Sequence, residues 1–115
     1  MPILTKLNDS YKWWHQYLTQ LPRLTRYTLG TRVDNLFIDC LELVLVAGYA
    51  ARGDKLEILQ KLSAKLDSLK FFLRVLWELK ALDNKKYMVL SASLNETGKM
   101  VGGWLTMLKK ETLRI

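Results

Sequence analysis

Leu56, Leu59, Leu62, Leu66, Leu69, Leu73 and Leu76 recur at spacings of three and four. A strand alternates its side chains with period two and would scatter these leucines over both faces. A helix gathers all of them on one side. An apolar stripe that continuous must be buried, so the chain has to supply partners for it. It supplies three more helical segments. Over about residues 4–21, Leu4, Leu7, Tyr11, Trp14, Leu18 and Leu21 share a face, and Pro22 ends the run. From about Arg26 to Ala51, Val33, Phe37, Cys40, Val44 and Ala47 form one stripe, with Leu36, Leu43 and Ala50 beside it. The last seam is Tyr87, Leu90, Leu94, Thr97, Val101, Trp104 and Leu108.

The punctuation fits. Gly53 breaks the chain, and Asp54 is placed to cap the third helix, with Glu57 three residues on in capping-box position. That helix is expected to run to about Leu82, and Asp83 to cap the fourth. Six glycines and two prolines are too few for an all-β fold with many tight turns. No repeat or long linker divides the 115 residues, so positions 1–115 read as one domain. Short connections between long helices make neighbours antiparallel. The expected fold is all-α, an up-down-up-down four-helix bundle. The second helix has no charge between Leu43 and Arg52. It is apolar on more faces than one bundle buries, which predicts a closed homo-oligomer.

Catalysis finds no constellation here. His15 is the single histidine and has no ligand cluster around it. GTRVDN and VAGYAARGDK do not match a phosphate-binding loop. Asp39 and Glu42 lack the second pair of helical ligands that a di-metal bundle uses. The single cysteine, Cys40, forms no internal disulfide and sits among Ile38, Leu41 and Leu43 as a small buried hydrophobe. The chain is expected to be a cytoplasmic non-enzyme without a cofactor or small-molecule substrate. LELVLVAGYAA, residues 41–51, is too short to span a bilayer, and MPILTKLNDS does not read as a signal peptide.

Two features exceed what a bundle needs. In NETGKMVGGWLTMLKK, Gly98, Gly102 and Gly103 each cost a helix about 1 kcal/mol relative to alanine. Ser91, Asn95, Gly98 and Gly102 line up as a strip of small residues, expected to admit a helix of this subunit or a neighbour at close backbone distance. Trp14, Trp77 and Trp104 are expected to pack rather than to stack bases. Trp13 and Tyr17 lie off the first seam and point to a second contact face. Arg74, set among apolar residues, is expected to reach a carboxylate or an interface. The second feature is a net charge of +7. One bundle end collects Arg23, Arg26, Arg32, Lys80, Lys85 and Lys86 against Asp34, Glu78 and Asp83. The other collects Lys6, Arg52, Lys55, Lys109, Lys110 and Arg114. The expected nucleic-acid-binding residues are Arg23, Arg26, Arg32, Lys85 and Lys86.

The run Tyr87…Glu96-x-Gly98-Lys99-Met100-x-Gly102-Gly103-Trp104 resembles the helix 4 signature of a family of small four-helix bundles. That family includes the accessory variability determinant of diversity-generating retroelements. It also includes the protein encoded in intervening sequences of bacterial 23S ribosomal RNA genes. LPRLTRYTLGTRV is similar to the family's helix 1–2 junction. LDSLKFFLRVLWEL is similar to its helix 3 run, with Leu69, Leu73 and Arg74 in matching places. Thr97 and Lys99 stand where Ile and Arg are commoner. The resemblance covers nearly the whole chain. It implies a homopentameric barrel that binds nucleic acid and a reverse transcriptase and supports mutagenic retrohoming as an accessory factor. The pentamer and the polymerase partner come from the resemblance alone. The alternative is an oligomeric scaffold of the intervening-sequence type with no nucleic-acid role.

Overall fold

The four apolar seams become the inner faces of four helices. The structure, a computed structural model, describes residues 1–113, with side chains through Glu111. Helix α1 is Pro2–Leu18. Helix α2 opens with one α turn (Arg23–Thr25), passes through a π-helical stretch (Arg26–Gly30) and continues as regular α-helix (Thr31–Tyr49). Helix α3 is Arg52–Glu78 and α4 is Asn84–Leu113. No strand occurs among the described residues. The helices pack in the ring order α1, α2, α3, α4. Lys6 pairs with Glu96 near one end, while Lys86 reaches Gln20 near the other, so α1 and α4 are antiparallel. The bundle measures 52 × 21 × 20 Å.

Burial follows the seams. Val33, Phe37, Cys40, Val44 and Ala47 have no exposed surface, and six of the seven α3 leucines are buried. Each fully buried leucine contributes about 1.5–3 kcal/mol relative to an exposed one, so these stripes dominate stability. Trp14 is buried against Phe37, and its indole N–H donates to Asp34 Oδ1 at 3.2 Å. Ser10 and Ser93 bond to each other in the core between α1 and α4. The Cys40 thiol is pushed up to about 12, first by burial and then by the nearby Asp39 carboxylate.

The helix boundaries differ in instructive ways. Helix α1 ends at Leu18, earlier than its seam suggested, because Leu21 is buried from the turn that follows it. Helix α3 begins at Arg52, before the expected cap. Ala50 and Ala51 adopt extended backbone (ψ 152° and 149°) and make the reversal themselves. Gly53, Asp54 and Glu57 therefore lie inside the helix, and no side chain caps it. Asp54 still places a negative charge in the first turn, where the helix dipole favours it. Helix α3 stops at Glu78 rather than near Leu82. Lys80 turns left-handed (φ 63°), its N–H bonds Trp77 O and the Ala81 N–H bonds Leu76 O, both at 2.9 Å. Those paired bonds define a Schellman stop. Asp83 caps α4 as expected, accepting from the Lys86 N–H at 2.8 Å.

The glycines answer differently from the expectation. A Cβ on Gly98 would lie 2.7 Å from Lys70 Nζ and 3.8 Å from Leu66 Cδ2, so this glycine does face α3. What it admits is an ammonium group, not a backbone. A Cβ on Gly102 or Gly103 would meet nothing within 4 Å. Close helix contact at Gly102 is thus absent within the subunit, because that side of α4 points outward. The glycine enclosed by the most neighbours is Gly30. A Cβ there would meet Leu18 Cδ1 at 2.9 Å, Thr25 O at 3.2 Å and Leu21 Cδ1 at 3.3 Å.

Candidate nucleic-acid interface

The α1–α2 and α3–α4 turns share one end of the bundle. Arg23, Lys80 and Lys85 stand there exposed, with Arg32 on the flank of α2. None of these four side chains makes a hydrogen bond or ion pair among the described residues. The acids that might neutralise them are engaged. Asp34 turns inward to Trp14 and Tyr11, where burial and then its carboxylate raise the Tyr11 hydroxyl pKa. Glu78 pairs with Arg74 at 3.2 Å, and Asp83 caps α4. Arg74 thus finds a carboxylate as expected, although on an exposed surface and one turn along its own helix.

The two other expected cations are structural as well as basic. Arg26 Nη2 donates to Thr19 O at 2.9 Å and Leu21 O at 3.1 Å, tying down the turn that follows α1. Its Nε is buried without a partner. Lys86 reaches Gln20 Oε1 and lies 5.5 Å from the centre of the Tyr17 ring. Lys80 belongs with the free cations, and its left-handed backbone holds it at the outer edge of the turn. Its position between two helices was visible in the sequence, but its role in stopping α3 was not.

Apolar and aromatic surface lies among these charges. Leu24, Tyr27, Leu79 and Met88 are each more than 60% exposed. Trp77 stacks on Tyr87 with centroids 4.9 Å apart, and its indole N–H donates to Asn84 Oδ1 at 2.7 Å.

The opposite end is more fully paired. Arg52 holds Glu111 through two contacts, at 2.7 and 3.1 Å. Lys6 lowers the Glu96 carboxyl pKa by bonding it. Lys55 lies 5.7 Å from the centre of the Trp104 ring. Lys109 and Lys110 are exposed and unpaired among the described residues; Arg114 lies outside them.

The expected packing residues separate. Trp104 is half-buried in an apolar recess with Met1, Ile3 and Met100. Tyr17 packs against the core beneath Lys86, so its contact face belongs to α4 of the same chain. Trp13 remains 41% exposed on α1. The outer face of α2 carries Ile38, Leu45, Val46 and Tyr49, all exposed, with Tyr49 at 91%. Among the described residues, no three His, Cys, Asp or Glu side chains gather as a metal site, and no helix is long and apolar enough to cross a membrane.

These features define a four-helix bundle with free cations gathered at one end and an unpaired apolar face along one helix. A model of the bAvd-like family matches residues 1–108, across all four helices, and the chain belongs to that family. No curated protein matches it.

Proposed function

We propose that this chain is an accessory nucleic-acid-binding protein of a diversity-generating retroelement. In this reading it binds the element's reverse transcriptase and its template RNA or cDNA and supports mutagenic retrohoming. The observation that carries the nucleic-acid part is the set of unpaired cations Arg23, Arg32, Lys80 and Lys85 at one end of a chain with net charge +7. Membership of the bAvd-like family supports the retroelement part. Phosphates would bind the free cations and release counterions, with little sequence preference. The working form is a closed homo-oligomer, a pentamer by family resemblance, with the α2 outer face and Gly102 at subunit contacts. A ring would repeat the basic end around its axis and focus its field.

The test is salt-dependent retention of RNA and DNA, with purified reverse transcriptase in a parallel pull-down. The joint Arg23→Ala, Arg32→Ala and Lys85→Ala variant should weaken binding to all sequences alike and flatten the salt dependence. Lys109→Ala with Lys110→Ala serves as the opposite-end control. Arg26→Ala is a poor probe, because it releases the turn that follows α1. Wild-type protein that retains no nucleic acid at low salt would favour the scaffold of the intervening-sequence type.

A further inference from the structure

A groove between α3 and α4 runs along the side of the bundle in two adjoining parts, of about 270 and about 420 Å³, which share Lys70 and Asn95. Leu66, Leu73, Leu94 and Val101 line it, all four buried in the core. Lys70 sits half-buried between the two parts, its ammonium occupying the space that Gly98 leaves open. No hydrogen bond or ion pair reaches that ammonium among the described residues. A cation drawn partly out of water without a counter-charge is an orphan that an anion would satisfy. Arg74, one helical turn on, lines the same groove, and Lys99 lines it from α4. Asp67 is the opposing carboxylate on that lining. Phe71, next to Lys70, is 53% exposed and held edge-to-face by Phe72 at 5.4 Å.

We propose that this groove is a track for single-stranded nucleic acid. Phosphates meet Lys70, Arg74 and Lys99, Ser91 and Asn95 offer hydrogen bonds, and an unstacked base lies on Phe71. The combination of a cationic groove with an exposed aromatic platform suits single strands, because a duplex keeps its base faces stacked inside. An acidic peptide would use the cations but leave Phe71 without a partner. The proposal rests on the nucleic-acid reading above, but it assigns the single strand to the bundle's side rather than its basic end.

The experiment is fluorescence anisotropy with a labelled oligouridylate and an RNA duplex of equal length, across a salt series. Phe71→Ala should weaken single-strand binding roughly 5- to 100-fold and leave duplex binding unchanged. Lys70→Ala should reduce the single-strand salt slope by about 0.7, and Lys70→Arg should restore it. Gly98→Ala is the second probe: its methyl group displaces the ammonium, so the thermal midpoint should rise while single-strand binding falls. That opposition separates a binding role from a folding defect. Unchanged single-strand binding in both Lys70→Ala and Phe71→Ala overturns the proposal, as does equal loss toward duplex and single strand. Lys70-dependent capture of polyglutamate in preference to oligouridylate overturns it in favour of an acidic peptide. If wild type binds but only the Arg23, Arg32 and Lys85 substitutions matter, the groove assignment alone fails. If wild type binds no nucleic acid, the functional reading fails with it.

Discussion

Gly30 and Gly102 show how differently two helical glycines can serve one chain. At Gly30, Leu18, Leu21 and the Thr25 carbonyl close the space a side chain would need. Gly30→Leu should lose roughly 1–3 kcal/mol by overpacking the α1–α2 corner, measured by urea unfolding. At Gly102 that space is open, so Gly102→Ala in dilute protein should gain about 1 kcal/mol of helix stability. If the variant instead weakens an assembled form, the glycine seats a neighbouring subunit. Lys80 is the complementary case, a non-glycine residue in the left-handed position of a Schellman stop. Lys80→Gly should stabilise the fold by about 1 kcal/mol in thermal or urea unfolding. It should also remove a free cation, so nucleic-acid affinity and stability should move in opposite directions. A gain in stability with unchanged affinity would show that Lys80 does not contact the ligand.

Helix α2 is the element with two incompatible faces. Its inner stripe is entirely buried, while Ile38, Leu45 and Tyr49, at spacings of seven and four, line the opposite side. The bundle has no fifth helix to cover that outer stripe. Leu45→Glu should leave the monomer's circular dichroism and unfolding midpoint nearly unchanged, because Leu45 is 44% exposed. The proposed homo-oligomer should then dissociate in sedimentation velocity, because a charge would be buried at the contact. An unchanged sedimentation profile would remove α2 from the interface. The π-helical stretch at the start of α2 has a different task. It turns Gly30 toward Leu18 and Leu21 and sets Arg26 against the Thr19 and Leu21 carbonyls in the turn after α1.

For the molecule as a whole, ionisation ties stability to pH through the core as well as the surface. The folded pKa of Cys40, about 12, lies above the ordinary thiol value of 9.0. Its contribution is therefore fully present below pH 9 and is lost as pH rises toward 12. The slope reaches about 1.4 kcal/mol per pH unit where the unfolded thiol has ionised and the native one has not. Tyr11, also raised by burial and Asp34, acts in the same direction at higher pH. Glu96, lowered by Lys6, acts oppositely: its stabilisation is present above its unfolded pKa and fades as pH falls. Urea midpoints followed upward from neutral pH should decline, and Cys40→Ala should flatten that decline. A wild-type slope that survives the substitution would place the effect on other groups.

Helix membership, the buried stripes and the Asp83 cap are readable in the sequence alone. Burial follows from which residues share a face, and a helix face is set locally by its 3.6-residue turn. Val33, Phe37, Cys40, Val44 and Ala47 therefore needed no knowledge of their partners. The basic end was readable too, because short turns force α1–α2 and α3–α4 to one side. Which of its cations stay free was not. Arg23 and Arg26 lie three residues apart and look alike in sequence, yet Arg26 ties down the turn after α1 while Arg23 faces water. Gly98 and Gly102 lie one turn apart, yet one shelters the Lys70 ammonium and the other faces open space. Asp54 and Glu57 had the pattern of a capping box, but the extended Ala50 and Ala51 moved the helix start ahead of them. Periodicity belongs to one backbone segment, whereas partner choice depends on the register between helices, and that register emerges only when all four seams pack at once.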